Sequence, residues 1–154
     1  MGECAEKTME QTLKDNGELL TVASGISMLP CIRPQKDILH LVRSTETACQ
    51  YDVILYRRKN GKLILHRVME CQNSRYVLCG DNQSVLEYGI EEAQILGVLR
   101  GFYRGNHYID CETNPIYEIY VKVWCSSLKA RKWFLCFMNL GIKGWKKITW
   151  KKRN

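Results

Sequence analysis

Three short segments carry side chains capable of chemistry. In Ser24-Gly25-Ile26-Ser27-Met28-Leu29-Pro30, a glycine two residues before Ser27 and a proline three after it constrain the turn that holds the hydroxyl. Backbone N–H groups of such a turn (Ser24, Gly25 and Ile26 lead into it) can converge on one point, as a developing oxyanion requires. In Leu63-Ile64-Leu65-His66-Arg67-Val68, strand alternation puts His66 on one face with Ile64 and Val68. Aliphatic neighbours desolvate the imidazole, lower its pKa and favour the neutral base at pH 7. In Gly80-Asp81-Asn82, the carboxylate of Asp81 can close an Asx-turn or orient an imidazole and stabilise its charged form. Each segment alone has an ordinary structural explanation: a loop, a core histidine, a turn. In chain order they supply a nucleophile, a general base and an acid.

The elements that must position them follow from periodicity. Ala5 to Asn16 has helical spacing, with Gly17 as its stop. From Leu19 to about Tyr108 the texture is short apolar runs: Ile38–Val42, Val53–Arg57, Leu63–Val68, Tyr76–Leu78, Ile95–Tyr103 and a weaker His107–Ile109. Turn residues separate several of them, and Asn60-Gly61 marks a hairpin between the second and third. After Asn114-Pro115 helical spacing returns through Tyr117, Tyr120, Trp124, Leu128 and Leu135, interleaved with Lys122, Lys129, Arg131 and Lys132. The expected organisation is an N-terminal helix over residues 1–18, a mainly β, antiparallel domain over 19–112, and a basic amphipathic helical tail over 113–154.

Composition narrows the class. At 154 residues, 45% hydrophobic and 25% charged, the chain fits one globular domain and not a disordered or collagen-like one. The net charge of +7 is unevenly spread. Residues 1–121 hold 13 Lys/Arg against all 16 Asp/Glu, a net of −3, while residues 122–154 hold 10 Lys/Arg and no acid. That split argues against a uniformly basic nucleic-acid binder. The eight cysteines, at 4, 31, 49, 71, 79, 111, 125 and 136, form no CxxC pair, so they read mainly as reduced thiols packing as small hydrophobes, with disulfides in an exported protein as the alternative, and not as a metal site. No signal-peptide h-region opens the chain. The apolar stretch Trp133 to Leu140 falls far short of the ~20 residues a spanning helix needs. A cytoplasmic protein, or one peripheral at a membrane surface, is expected.

The boxes also resemble those of a known family. Ser24-Gly25-Ile26-Ser27-Met28-Leu29-Pro30 is similar to the SGxSMxP nucleophile box of the signal peptidase I and LexA-like serine peptidase superfamily. Tyr51-Asp52-Val53-Ile54-Leu55-Tyr56 resembles its GDVVxF strand, Leu65-His66-Arg67-Val68 its base-bearing strand, and Gly80-Asp81-Asn82 its GDN turn. The resemblance spans roughly Thr21 to Arg100, about half the chain, with four boxes in order. A histidine, not a lysine, at the base position places it with the archaeal, endoplasmic-reticulum and sporulation-type branch. Lys62, at the hairpin end, is not expected to act as a displaced base. The resemblance implies a LexA/signal-peptidase-like β fold and a serine endopeptidase with Ser27 as nucleophile, His66 as general base and Asp81 as orienting acid. It also implies no cofactor or metal, a substrate bound as an extended strand with small residues near the scissile bond, and exported or leader-bearing peptides as substrates.

This chain departs from the family pattern in places. Tyr51 stands where a glycine usually precedes Asp52, and Pro34-Gln35-Lys36-Asp37 lacks the usual glycine before Asp37. A further family acid five or six residues after the GDN aspartate corresponds to Leu86 and Glu87, which makes Glu87 the candidate second acid. The family's N-terminal membrane anchor has no counterpart. A catalytically idle peptide-binding or regulatory domain is the alternative function. A self-cleaving repressor is disfavoured, because no Ala-Gly site and too few residues for a DNA-binding domain precede the nucleophile box. Aromatic residues interleaved with Lys and Arg give residues 122–154 the composition of a helix lying on an anionic membrane; its alternative is packing on the domain with charges solvated.

Overall fold

Strand formation follows the apolar runs. The computed structural model describes residues 2–44, 47–131, 133 and 135. Eight strands form one antiparallel sheet: β1 (Glu18–Val22), β2 (Asp37–Arg43), β3 (Val53–Arg57), β4 (Leu63–Gln72), β5 (Arg75–Cys79), β6 (Glu87–Glu91), β7 (Ile95–Arg104) and β8 (His107–Asp110). Their order is β1-β2-β7-β3-β4-β5-β6, with β8 pairing the far half of β7 beyond the end of β3. The mainly β, antiparallel class read from periodicity is therefore observed.

The middle of the sheet is apolar on both faces, which is why Val53-Ile54-Leu55-Tyr56 is a continuous apolar run and not an alternating one. Val53 and Leu55 join one cluster with Leu13, Met28, Ile32, Leu39, Leu41, Leu99 and Phe102. Ile54 and Tyr56 join the other with Val68, Tyr76, Leu78 and Ile90. β4 divides between the same two faces. His66 sits opposite Ile54, on the side of Ile64 and Val68, while Arg67 points to the other side. The hairpin between β3 and β4 closes through Arg58 and Lys62 around Asn60-Gly61.

Helix α1 (Gly2–Asn16) runs three residues further toward the N-terminus than its spacing predicts. It ends where Gly17, at φ +78°, takes the left-handed conformation and donates its N–H to the Leu13 carbonyl. Leu13 is the helix's buried contact with the sheet. Helix α2 (Pro115–Cys125) is capped by Asn114, whose side-chain oxygen accepts from the N–H groups of Ile116 and Tyr117, both at 3.0 Å. A second helical stretch begins after Ser127, and residues 132, 134 and 136–154 of the expected tail lie outside the described residues. No described helix is long and apolar enough to cross a membrane.

Tyr51 adopts φ +77° and Gln35 φ +56°, left-handed backbone at two non-glycine turn positions. The free thiols of Cys31, Cys79 and Cys125 are buried, and burial pushes Cys31 up to about 12. Cys31 joins the apolar cluster with Arg67 Nη2 3.7 Å from its sulfur, while Arg131 lies against the sulfurs of Cys79 and Cys125 at 3.8 and 3.6 Å.

Candidate active site

Ser27 lies on the connection between β1 and β2. Met28 and Ile32 drop into the core from that connection and fix it, with Ile32 N–H bonded to the Met28 carbonyl at 2.9 Å and Leu29 N–H to Ile26 at 3.2 Å. The Gly80-Asp81-Asn82 turn latches it from behind. Asn82 donates its backbone N–H to the Ser27 carbonyl at 2.7 Å and its side-chain N–H to the Ile26 carbonyl at 3.2 Å. Gly80 must be glycine for this approach, since a Cβ there would stand 2.7 Å from the Ser27 carbonyl oxygen and 3.1 Å from its Cβ. Gly80→Ala is accordingly expected to cost ~1–3 kcal/mol and to displace the Ser27 turn, read as a lowered denaturation midpoint. Of the residues leading into the turn, Ser24 and Gly25 line the same groove as Ser27, while Ile26 is exposed. Gly25 has open space around it and no left-handed φ, so folding does not demand a glycine there.

His66 is buried and is among the residues that line the groove holding Ser27. Among the described residues the two share the groove without a direct hydrogen bond; catalytic contacts commonly tighten only when substrate binds. Behind the imidazole stand Tyr56 and Glu87. The Tyr56 hydroxyl lies 3.4 Å from His66 Nδ1 and donates to Glu87 Oε2 at 2.6 Å, and that carboxylate oxygen is 3.9 Å from Nδ1. Arg58 grips Glu87 from the other side, with Nε to Oε1 at 2.8 Å and Nη2 on Oε2.

The electrostatics favour a neutral base. Burial depresses His66 to about 4, the Glu87 and, more weakly, Asp81 charges opposing and the Arg58 charge assisting. Burial alone would raise Glu87, but hydrogen bonds from Arg58 and Tyr56 hold it below its usual value, so it stays a carboxylate. Burial, then the bond to Glu87, pushes the Tyr56 phenol up and keeps it a donor. At neutral pH the set is therefore imidazole, phenol and carboxylate.

A pH signature follows. Burial keeps the imidazole of the folded protein unprotonated until the pH approaches about 4, and not ~6.5, where an exposed histidine titrates. Stability moves the same way. The unfolded chain takes up a proton on His66 as pH falls through ~6.5 while the folded chain does not, so His66 withdraws stability between there and about 4.

The acid expected to orient His66 is placed elsewhere. Asp81 is fully buried, and Arg67 takes its carboxylate in a two-pronged pair, Nε to Oδ1 at 2.8 Å and Nη2 to Oδ2 at 2.7 Å. The Tyr120 hydroxyl adds a third bond at 3.0 Å, and Trp124 Nε1 donates to the Asp81 carbonyl at 2.8 Å. The cause lies in strand geometry. Arg67 follows His66, so it points to the opposite face, and a buried guanidinium there must be neutralised. Burial alone would lower the Arg67 pKa; Asp81's hydrogen bonds and charge hold it well above its usual value. The carboxylate beside the imidazole is Glu87, six residues after Asp81 in sequence.

The groove that Ser27 and His66 share has a volume of about 280 Å³ and is walled by Val22, Leu39, Leu41, Leu55 and Leu65, with Met9 of α1 at one side. A larger cavity of about 720 Å³, edged by Cys49, Asp52, Arg100 and Glu112, holds none of these site residues. No cluster of metal ligands occurs among the described residues. Arg67, Tyr56 and Arg58 carry the site's electrostatics; an arginine directly after the histidine in an apolar strand is a sequence signal for Arg67, and Tyr56 and Arg58 have none. No family model, curated protein or solved structure matches the chain.

Proposed function

We propose that the protein is a serine endopeptidase of signal-peptidase type, with Ser27 as nucleophile, His66 as general base, and Glu87 with Tyr56 orienting the imidazole. The observation that carries this reading is a buried, neutral His66 opening onto the groove that holds Ser27, with a phenol and a carboxylate on its Nδ1 side. Nδ1 facing Tyr56 and Glu87 leaves Nε2 for the Ser27 hydroxyl. In the first step Oγ attacks a peptide carbonyl carbon while His66 takes the hydroxyl proton. Backbone N–H groups of the Ser27 turn stabilise the oxyanion. The departing amine then takes the proton from His66, and water, deprotonated by the same imidazole, releases the acyl group and restores Ser27. Glu87 stabilises the transient imidazolium. The sheet corresponds, in this reading, to the signal-peptidase fold, and an extended peptide pairs with the free edge of β1, whose Thr21 and Val22 border the groove.

Labelling with a fluorophosphonate tests the nucleophile. Modification at Ser27 that disappears in Ser27→Ala supports the assignment, and a label that survives Ser27→Ala overturns it. The second reading, a peptide-binding domain, draws on the apolar walls of the groove, which suit an extended chain whether or not it is cut. That reading predicts retention of intact peptides with no turnover.

A further inference from the structure

Helix α2 has two unlike faces. Tyr117, Tyr120 and Trp124 turn inward, where Tyr117 and Tyr120 reach Arg67 and Asp81 and Trp124 holds the Asp81 carbonyl. The aromatic residues of this segment thus pack on the domain and are not a lipid-facing stripe. The outward residues are aliphatic: Ile116, Ile119 and Val123, spaced three and four apart, are 77%, 62% and 69% exposed. One acid lies on the helix, Glu118, and Lys122 one turn later pairs with it at 2.5 Å. From Lys122 to the end of the chain there are ten Lys and Arg and no Asp or Glu, of which Arg131 is buried against Gly80 and Trp124, whereas the chain before it carries a net of −3. Trp133, further along, is also exposed.

We infer that the outward face of α2 docks on an anionic lipid surface. Ile116, Ile119 and Val123 enter the boundary between headgroups and acyl chains, and the adjoining cationic segment meets the headgroup charge. Neither feature suffices by itself. Exposed aliphatics alone fit any apolar partner, and basic residues alone fit any polyanion. A helix with an aliphatic outer stripe continuing into an acid-free cationic segment matches a surface that is apolar just beneath a layer of negative charge. The inner face is bonded to the Asp81 turn, which in turn holds Ser27, so a docked α2 would fix the groove at a set distance from the lipid. Docking at a membrane deepens the peptidase reading, since it places the groove where leader-bearing peptides emerge, but it does not require catalysis.

Flotation of the full chain with vesicles tests it. Equimolar phosphatidylcholine and phosphatidylglycerol should carry the protein upward, pure phosphatidylcholine should leave it behind, and high salt should release it. Ile116→Ser/Ile119→Ser/Val123→Ser, at positions already in solvent, should keep the wild-type circular dichroism melt and lose at least about tenfold in partitioning. Ile119→Ser alone should fall between the two. Ser27→Ala should float like the wild type, so failure of the peptidase reading and failure of docking remain separable. Equal flotation on neutral and anionic vesicles, wild-type partitioning by the triple variant, or duplex DNA binding without any vesicle binding would overturn the inference.

Discussion

Asp81→Ala is expected to destabilise the protein by ~3–5 kcal/mol, because it strands a fully buried guanidinium. For a chain of this size that is a fall of roughly 10 °C or more in melting temperature. Arg67→Met/Asp81→Leu should recover much of it, because removing both charges of a buried pair is far less costly than removing one. Full recovery is not expected, as the Tyr51 carbonyl and the Tyr120 hydroxyl would lose their partners. Thermal melts of the three variants check this. A single Asp81→Ala variant as stable as the wild type would show that the pair is not what holds the Gly80-Asp81-Asn82 turn.

Glu87→Gln should have the opposite profile. Glu87 is partly exposed and its partner Arg58 reaches solvent, so the melt should move little. Turnover should fall ~10²–10⁴-fold, the range expected when the group that orients a catalytic imidazole and stabilises its cation is neutralised. A readout separates positioning from simple damage. Because the Glu87 charge raises the His66 pKa, its removal should shift the acid limb of kcat/KM further down, while Arg58→Gln should shift it up. Tyr56→Phe, which keeps the ring and removes the donor to Glu87, should fall between the wild type and Glu87→Gln. Wild-type turnover in Glu87→Gln would remove Glu87 from the site.

The contrast between these two acids marks the boundary of what sequence alone conveys. Gly80-Asp81-Asn82 and the strand bearing His66 are readable as motifs, and the turn does lie against Ser27. Which carboxylate reaches the imidazole depends on the face to which Arg67 points and on that arginine's need for a buried counter-charge, a three-dimensional competition. Periodicity similarly shows that Tyr117, Tyr120 and Trp124 share a face of α2 without showing whether it meets lipid or protein. The buried Arg67–Asp81 pair, which needs the Tyr120 hydroxyl, draws that face inward. Among the strands, β3 and β4 announce themselves through apolar content and the Asn60-Gly61 turn. By contrast, β6 (Glu87-Tyr88-Gly89-Ile90-Glu91) buries Ile90 alone and is held by main-chain pairing with β5 and by the bonds of Arg58 and Tyr56 to Glu87, so its residue types read as a loop.

Cleavage of a mixed peptide library, followed by mass spectrometry with wild type, Ser27→Ala and His66→Ala, is the most direct test of the assignment of Ser27 and His66. Defined cuts by the wild type are expected, suppressed at least ~10³-fold in both variants while their melts and peptide retention persist. Cuts that continue undiminished in Ser27→Ala, or peptides held intact by the wild type across the pH range, would contradict it.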